Sequence, residues 1–207
     1  MNIKRLSLGP IGTNGYIVSA KSNALIIDPG GDPEKMISYI TDENLRPSAI
    51  LLTHAHFDHI GGVEAIRNHY HIDVYIHELE KDWLTDPNLN GSARYMFGDV
   101  IVERADKLIT AGKNRIGSFE FEVIHTPGHS PGSVGFIFEE EQFILSGDVL
   151  FQNGIGRTDL PGGDMKTLED SIKNKLYQLP PDMVVYSGHG EKTTIGSEKK
   201  HNPFFRG

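Results

Sequence analysis

The sequence predicts a mixed α/β fold, a layered α/β or α+β sandwich, and three observations carry that reading. Short apolar runs rich in β-branched and aromatic residues recur from one end of the chain to the other. Stretches with helical apolar spacing lie between them. Gly, Pro or Asp bounds most of the runs, as strand ends and turns require. In order, the strand runs are 15–19, 24–27, 49–53 and 74–77, then 107–110, 119–124, 134–138, 143–146 and 183–186. A first helix opens at Pro33 behind Asp32 as its cap, with Met36, Ile37 and Ile40 on one face. A second covers 62–70 through Val63, Ile66 and Tyr70, and a third covers 165–178 through Leu168, Ile172 and Leu176. Residues 84–104 have weak periodicity and contain Pro87, Asn88, Asn90 and Gly91, so they read as a loop or short-helix excursion bordering a site. Strand order is not readable at this level.

Composition narrows the chemistry. The 207 residues suit one sizeable domain over 1–207, with enough chain to bury a core without covalent staples. There is no cysteine, which removes disulfides, thiolate catalysis and cysteine metal sites together. Any metal must sit on His, Asp or Glu. With 28 acidic against 20 basic residues the net charge is −8, a poor balance for holding phosphate backbones, so no nucleic-acid partner is expected. The pair Lys199-Lys200 reads as a solvated tail. No run approaches the roughly 18 apolar residues of a membrane span, and the N-terminal residues lack a signal-like apolar core. The expectation is a cytoplasmic protein with no membrane contact.

Metal-ligand residue types gather at strand ends. Thr53-His54-Ala55-His56-Phe57-Asp58-His59-Ile60-Gly61-Gly62 follows an apolar strand and packs four donors into six residues, 54–59. At strand spacing His54 and His56 share a side, and Gly61-Gly62 lets the chain turn into the next helix. Three imidazoles and a carboxylate at the end of an apolar strand call for a cation to compensate them. Thr126-Pro127-Gly128-His129-Ser130-Pro131-Gly132 is a stiff loop holding one imidazole. Ser146-Gly147-Asp148 and Ser187-Gly188-His189-Gly190 end two further strands. Taken singly, His129 reads as a loop histidine and Asp148 as a cap or turn residue. The recurrence is what points to a site on one rim of a sheet.

The run T-H-A-H-F-D-H-I-G-G, followed in order by T-P-G-H-S, S-G-D and G-H-G, resembles the metallo-β-lactamase superfamily. The resemblance extends from Asp28-Pro29-Gly30 to His189. It implies a four-layer αββα sandwich with metals at the edge between two sheets. It also implies two Zn²⁺ per chain, with iron or manganese as alternative occupants. By that resemblance His54, His56 and His129 hold the first ion, Asp58, His59 and His189 the second, and Asp148 bridges both. Asp28 resembles a residue that buttresses the His-rich loop, its alternative being a plain turn-former before Pro29. Two Zn²⁺, the carboxylates of Asp58 and Asp148 and a metal-bridging hydroxide sum to about +1, a charge suited to an anionic tetrahedral intermediate. Asp58 would orient the hydroxide or pass its proton to the leaving group.

Residues 147–151 and 154–163 resemble the short bacterial type of the glyoxalase II-like (hydroxyacylglutathione hydrolase-like) branch, which hydrolyses thioesters such as S-lactoylglutathione. That implies a small-molecule thioester as substrate. Longer glyoxalase II enzymes add a helical C-terminal region with basic residues for glutathione, and the sequence after His189 does not show it. Arg157 is the nearest basic candidate to clamp a substrate carboxylate, with a structural ion pair as its alternative. A persulfide dioxygenase with one iron on His54, His129 and Asp148 is the rival reading. A nuclease of the same superfamily and a non-catalytic metal-stabilised binding protein follow it. The oligomeric state is left open.

Overall fold

The computed structural model describes residues 1–95 and 98–207, and the chain divides into two compact units. Unit 1 comprises Met1–Ile109 with Arg115–Phe119, and unit 2 comprises Thr110–Asn114 with Glu120–Gly207.

Unit 1 is built on a six-stranded sheet of β1 (Asn2–Leu8), β2 (Thr13–Ala20), β3 (Asn23–Ile27), β4 (Arg46–Leu51), β5 (Asp73–His77) and β6 (Lys107–Ile109), in that spatial order. β1, β2 and β3 pair antiparallel, whereas β3 through β6 run parallel. Parallel neighbours need crossovers, and helices supply the first two. α1 (Pro33–Asp42) joins β3 to β4; α2 (Phe57–Ile60) and α3 (Val63–Tyr70) join β4 to β5. Met36 and Ile40 of α1, with Val63 and Ile66 of α3, pack into one apolar core with Ile17, Ile26, Ile50, Val74 and Ile76. Each such side chain contributes about 1.5–3 kcal/mol on full burial.

Two details differ from expectation. β1 is not legible in the sequence, because it lies at the sheet edge and only Leu8 at its end is buried, the other residues being exposed or part-buried. Asp32 precedes α1 as predicted but does not cap it through its side chain. Its backbone is left-handed, with φ 41°. The carboxylate turns instead to Lys35 Nζ at 2.7 Å and Gly9 N–H at 3.1 Å, and these hold its carboxyl below the usual range. The excursion over 84–104 is largely irregular, with 3-10 turns at Trp83–Thr85 and Ser92–Arg94. Its positions 96 and 97 lie outside the described residues.

The second sheet contains β7 (Gly112–Ile116), β8 (Phe119–His125), β9 (Val134–Phe138), β10 (Phe143–Gly147), β13 (Val184–Ser187) and β14 (Thr193–Thr194), ordered β14-β13-β10-β9-β8-β7. Between β10 and β13 come a small hairpin, β11 (Leu150–Phe151) with β12 (Gly154–Ile155), and α4 (Met165–Asn174). The predicted helix over 165–178 ends at Asn174 and continues only as a 3-10 turn, Leu176–Gln178, because Lys175 leaves the helical backbone region. Asp164 caps α4, accepting from Thr167 N–H at 2.8 Å. Leu168 and Ile172 pack with Ile144, Val149, Leu150 and Val185 in a core of this unit's own, closed by Ile195 of α5 (Ile195–His201).

Strand direction positions the chemistry. In unit 1, β3, β4 and β5 are parallel neighbours, so their C-terminal ends emerge side by side. In the second sheet β10 is parallel to β13, and β8 and β10 are each antiparallel to β9. The C-terminal ends of β8, β10 and β13 therefore share one edge, the place where sheets of this kind carry ligands. Among the described residues no helix is long and apolar enough to cross a membrane.

Candidate metal centre

In unit 1 the chain leaving β4 carries His54 and His56, and α2 carries Asp58 and His59. All four are buried. The turn after β3 is tied to this loop, with Asp28 N–H donating to Leu51 O at 3.2 Å. The Asp28 carboxylate accepts from Thr53 N–H at 2.8 Å and from the Thr53 hydroxyl at 2.6 Å. It also meets His59 Nδ1 at 3.0 Å. A carboxylate offers only acceptors, so His59 holds its proton on Nδ1 and keeps a lone pair on Nε2. The Thr53 hydroxyl donates its one hydrogen to Asp28, so it accepts from His54 Nδ1 at 3.0 Å. His54 is thereby fixed in the same tautomer. Two residues thus orient two imidazoles, as partners behind metal ligands do.

The front of the cluster is a row of acceptors. Asp58 Oδ2 already takes the Thr13 hydroxyl at 2.7 Å and lies 3.4 Å from His59 Nε2. Only a proton or a metal cation can sit between a lone pair and a carboxylate oxygen at that distance. The ring centroid of His54 is 4.1 Å from that of His59 and 4.8 Å from that of His56. Protonating neighbouring rings so close would raise a repulsion of about 4 kcal/mol at an effective dielectric constant near 20. A shared metal ion avoids it. Two ligands about 2.0–2.2 Å from a tetrahedral zinc stand roughly 3.4 Å apart, so the donor set fits such an ion. Ligand-type atoms of Asp28, His54 and His59 also lie within 4.8 Å of one another. Asp28, however, faces the Nδ1 side of His59, and its oxygens are taken by the donors named above. Its contacts are those of a residue supporting the loop from behind, and Gly30 two residues on permits the close packing, since a Cβ there would strike the Asp58 carbonyl.

Unit 2 carries a second set. The parallel ends of β10 and β13 are stitched by Gly188 N–H to Gly147 O at 2.9 Å, which sets Asp148 beside His189. Asp148 Oδ2 is 3.4 Å from His189 Nε2 and 3.8 Å from His129 Nε2. One carboxylate oxygen therefore faces two imidazoles. His129 Nδ1 donates to the Arg157 carbonyl at 2.7 Å, so its lone pair too lies on Nε2. Gly156 makes this packing achievable, because a Cβ there would meet the Asp148 carbonyl and His129 Nδ1. Phe151 stands edge-on to His189 at 6.1 Å. The β11–β12 hairpin is held by α5, where Glu198 Oε2 accepts from Asn153 N–H at 2.9 Å and Asn202 Nδ2 donates to Gly154 O at 3.0 Å.

Each sequence-predicted ligand thus has its place. His54, His56, Asp58 and His59 gather in unit 1, and His129, Asp148 and His189 in unit 2. Arg157 touches its unit's cluster through its carbonyl. Its guanidinium makes a two-pronged ion pair with Asp159, at 2.6 and 2.7 Å, on exposed surface. Sequence reading missed Thr13, since nothing local links it to Asp58, 45 residues away. It missed Gly156 and the bridging part of Thr53 as well. The 84–104 excursion does border the cluster: Asn90 O accepts from Phe57 N–H at 3.0 Å, and the Tyr95 ring lies 4.9 Å from that of Phe57.

A mixed α/β fold with imidazole–carboxylate sets at strand ends is the frame of a metal-dependent enzyme. The chain belongs to the metallo-β-lactamase superfamily, whose model matches residues 8–189. It is 48% identical to the probable metallo-hydrolase YqgX of Bacillus subtilis, over 100% of this chain and 99% of that protein. It is 37% identical to the hydroxyacylglutathione hydrolase GloC of Haemophilus influenzae, over 99% and 98%. Among solved structures, BLEG-1 B3 metallo-β-lactamase superposes with a TM-score of 0.96 at 52% identity, covering 100% of both chains. TTHA1623 in a di-iron-bound form follows with a TM-score of 0.87 at 39% identity, over 98% of this chain and 100% of that one. The metallo-β-lactamase fold expected from the sequence is the fold observed.

Proposed function

We propose that residues 1–207 work as one catalytic domain, a dinuclear metal-dependent thioester hydrolase of glyoxalase II type. In this reading His54, His56 and His129 hold one ion, Asp58, His59 and His189 hold the other, and Asp148 bridges them, with zinc as the metal. The observation that carries it is Asp148 Oδ2, a single carboxylate oxygen facing both His129 and His189. The structure of TTHA1623 holds two irons, which supports two positions, and the likeness to GloC supports a thioester substrate.

When bound, two divalent ions supply Lewis acidity and water activated near neutral pH. The chain's own residues do the rest. The Thr13 hydroxyl donates to Asp58 Oδ2, so the carboxylate is held in place where a water proton must be received. Water adds to the thioester carbonyl carbon, the C–S bond breaks, and Asp58 returns the proton to the departing sulfur. The products are a carboxylic acid and a free thiol. A panel of 2-hydroxyacyl thioesters assayed with a thiol reagent tests this. Stoichiometric thiol release without oxygen uptake is expected, and turnover of none of them defeats the reading.

Arg157 is proposed to clamp an anionic group of the substrate. Its ion pair with Asp159 is exposed and screened by solvent, so a substrate carboxylate can take the place of Asp159. Arg157→Ala should leave metal content unchanged, because His129 is held by the backbone carbonyl. It should raise KM for an acidic thioester about tenfold with little change in kcat. An unaltered KM removes Arg157 from the substrate site.

A further inference from the structure

Glu80 closes the 3-10 turn Glu78–Glu80 that follows β5, and it has no exposed surface. Trp83 and Leu84, just beyond it, belong to the apolar core of unit 1. A carboxylate in such a place is costly unless it is matched by strong donors or a nearby cation. Topology brings it there. β5 runs parallel to β4, and Leu52 N–H donates to Tyr75 O at 3.0 Å, so the chain leaving β5 passes beside the loop leaving β4.

Glu80 Oε2 accepts from Ala55 N–H at 2.6 Å. Ala55 is the residue between His54 and His56, and it too is fully buried. The bond is short and shielded from water. It fixes the peptide that joins the two imidazoles, whose rings stand perpendicular with centroids 4.8 Å apart. The Trp83 ring, 5.9 Å from that of His56, packs against the same loop. What the carboxylate adds is an acceptor for the Ala55 peptide and a buried negative charge one residue from two proposed ligands.

We infer that Glu80 is a positioning residue for the first metal position. Through the Ala55 peptide it sets the spacing of His54 and His56, and its charge favours a cation held between them. The inference rests on the proposed assignment of those two histidines as ligands.

Zinc titration of the full-length, metal-stripped chain against a chromophoric chelator tests it. Circular dichroism checks folding, and the cobalt(II) absorption spectrum reports coordination. Glu80→Leu should weaken one of the two positions by about 10- to 100-fold and alter the cobalt spectrum, leaving the other position as it was. Glu80→Gln keeps an acceptor oxygen but loses the charge, and should weaken the same position less. Wild-type affinities and spectra in both folded variants would overturn the inference while leaving the metal assignment intact. If Glu80→Leu fails to fold, Glu80→Gln decides alone, and wild-type binding there overturns it. A His54→Ala chain that still takes up two zinc ions as tightly as the wild type sinks the ligand assignment itself, and the role of Glu80 with it.

Discussion

Asp148→Ala should strip metal from both positions and lower turnover roughly a thousandfold, equivalent to about 4 kcal/mol of lost transition-state stabilisation. The reason lies in one atom. Asp148 Oδ2 faces His129 Nε2 and His189 Nε2 together, at 3.8 and 3.4 Å, so its loss is felt on both sides. His189→Ala removes one imidazole and leaves the carboxylate in place, so it should empty chiefly one position. His189 is also the most open of the three, with 31% of its side chain exposed against 3% for His129. The pair of variants separates a bridging carboxylate from an ordinary ligand. Elemental analysis of each, set against its activity, gives the answer. Unchanged metal content in Asp148→Ala would refute the bridge.

The second large effect is expected at a residue that holds no metal. Asp28 accepts from the Thr53 amide, the Thr53 hydroxyl and His59 Nδ1. Asp28→Asn replaces one acceptor oxygen with a donor NH2 group, which must then face either the Thr53 amide N–H at the Oδ1 position or both the Thr53 hydroxyl and the N–H of His59 at the Oδ2 position. In the second case, turning His59 to its other tautomer relieves its clash but puts a proton on Nε2, where the metal should bind. Metal affinity at the His59 position should fall about 10- to 100-fold. Stability without metal should fall by about 1–3 kcal/mol, the effect of a mismatched buried polar group. Chelator competition and thermal unfolding of the stripped protein measure the two losses separately. A variant that loses stability but binds metal as the wild type does would make Asp28 a turn residue only.

Much of this site was legible because its signals are local. His54 to His59 lie within one strand end and one helical turn, and His129, Asp148 and His189 each follow an apolar strand visible in the sequence. What stayed hidden joins residues far apart in the chain. Thr13 and Asp58 are 45 positions apart, and Ala55 meets Glu80 only because β4 and β5 are neighbours; for Asp28, which the family resemblance does single out, the hidden part is its partner Thr53, 25 positions on. No periodicity records strand order, so no reading of periodicity finds these partners. β1 escaped for another reason, since an edge strand buried only at its last residue shows no continuous apolar run. Asp32 shows the opposite failure. The local pattern Asp-Pro predicts a cap, but a left-handed backbone turns the carboxylate toward Gly9 and Lys35. Arg157 stands out in the sequence for its guanidinium, and no sequence signal marks its carbonyl, which accepts from His129 Nδ1.

The central claim is that these residues hold two metal ions for hydrolysis, and metal content measured on the same purified sample that is assayed tests it most directly. The account predicts two divalent ions per chain, with thiol release from a thioester rising and falling with that content and no oxygen consumed. One iron per chain, with oxygen uptake on a persulfide and no thioester turnover, would contradict it.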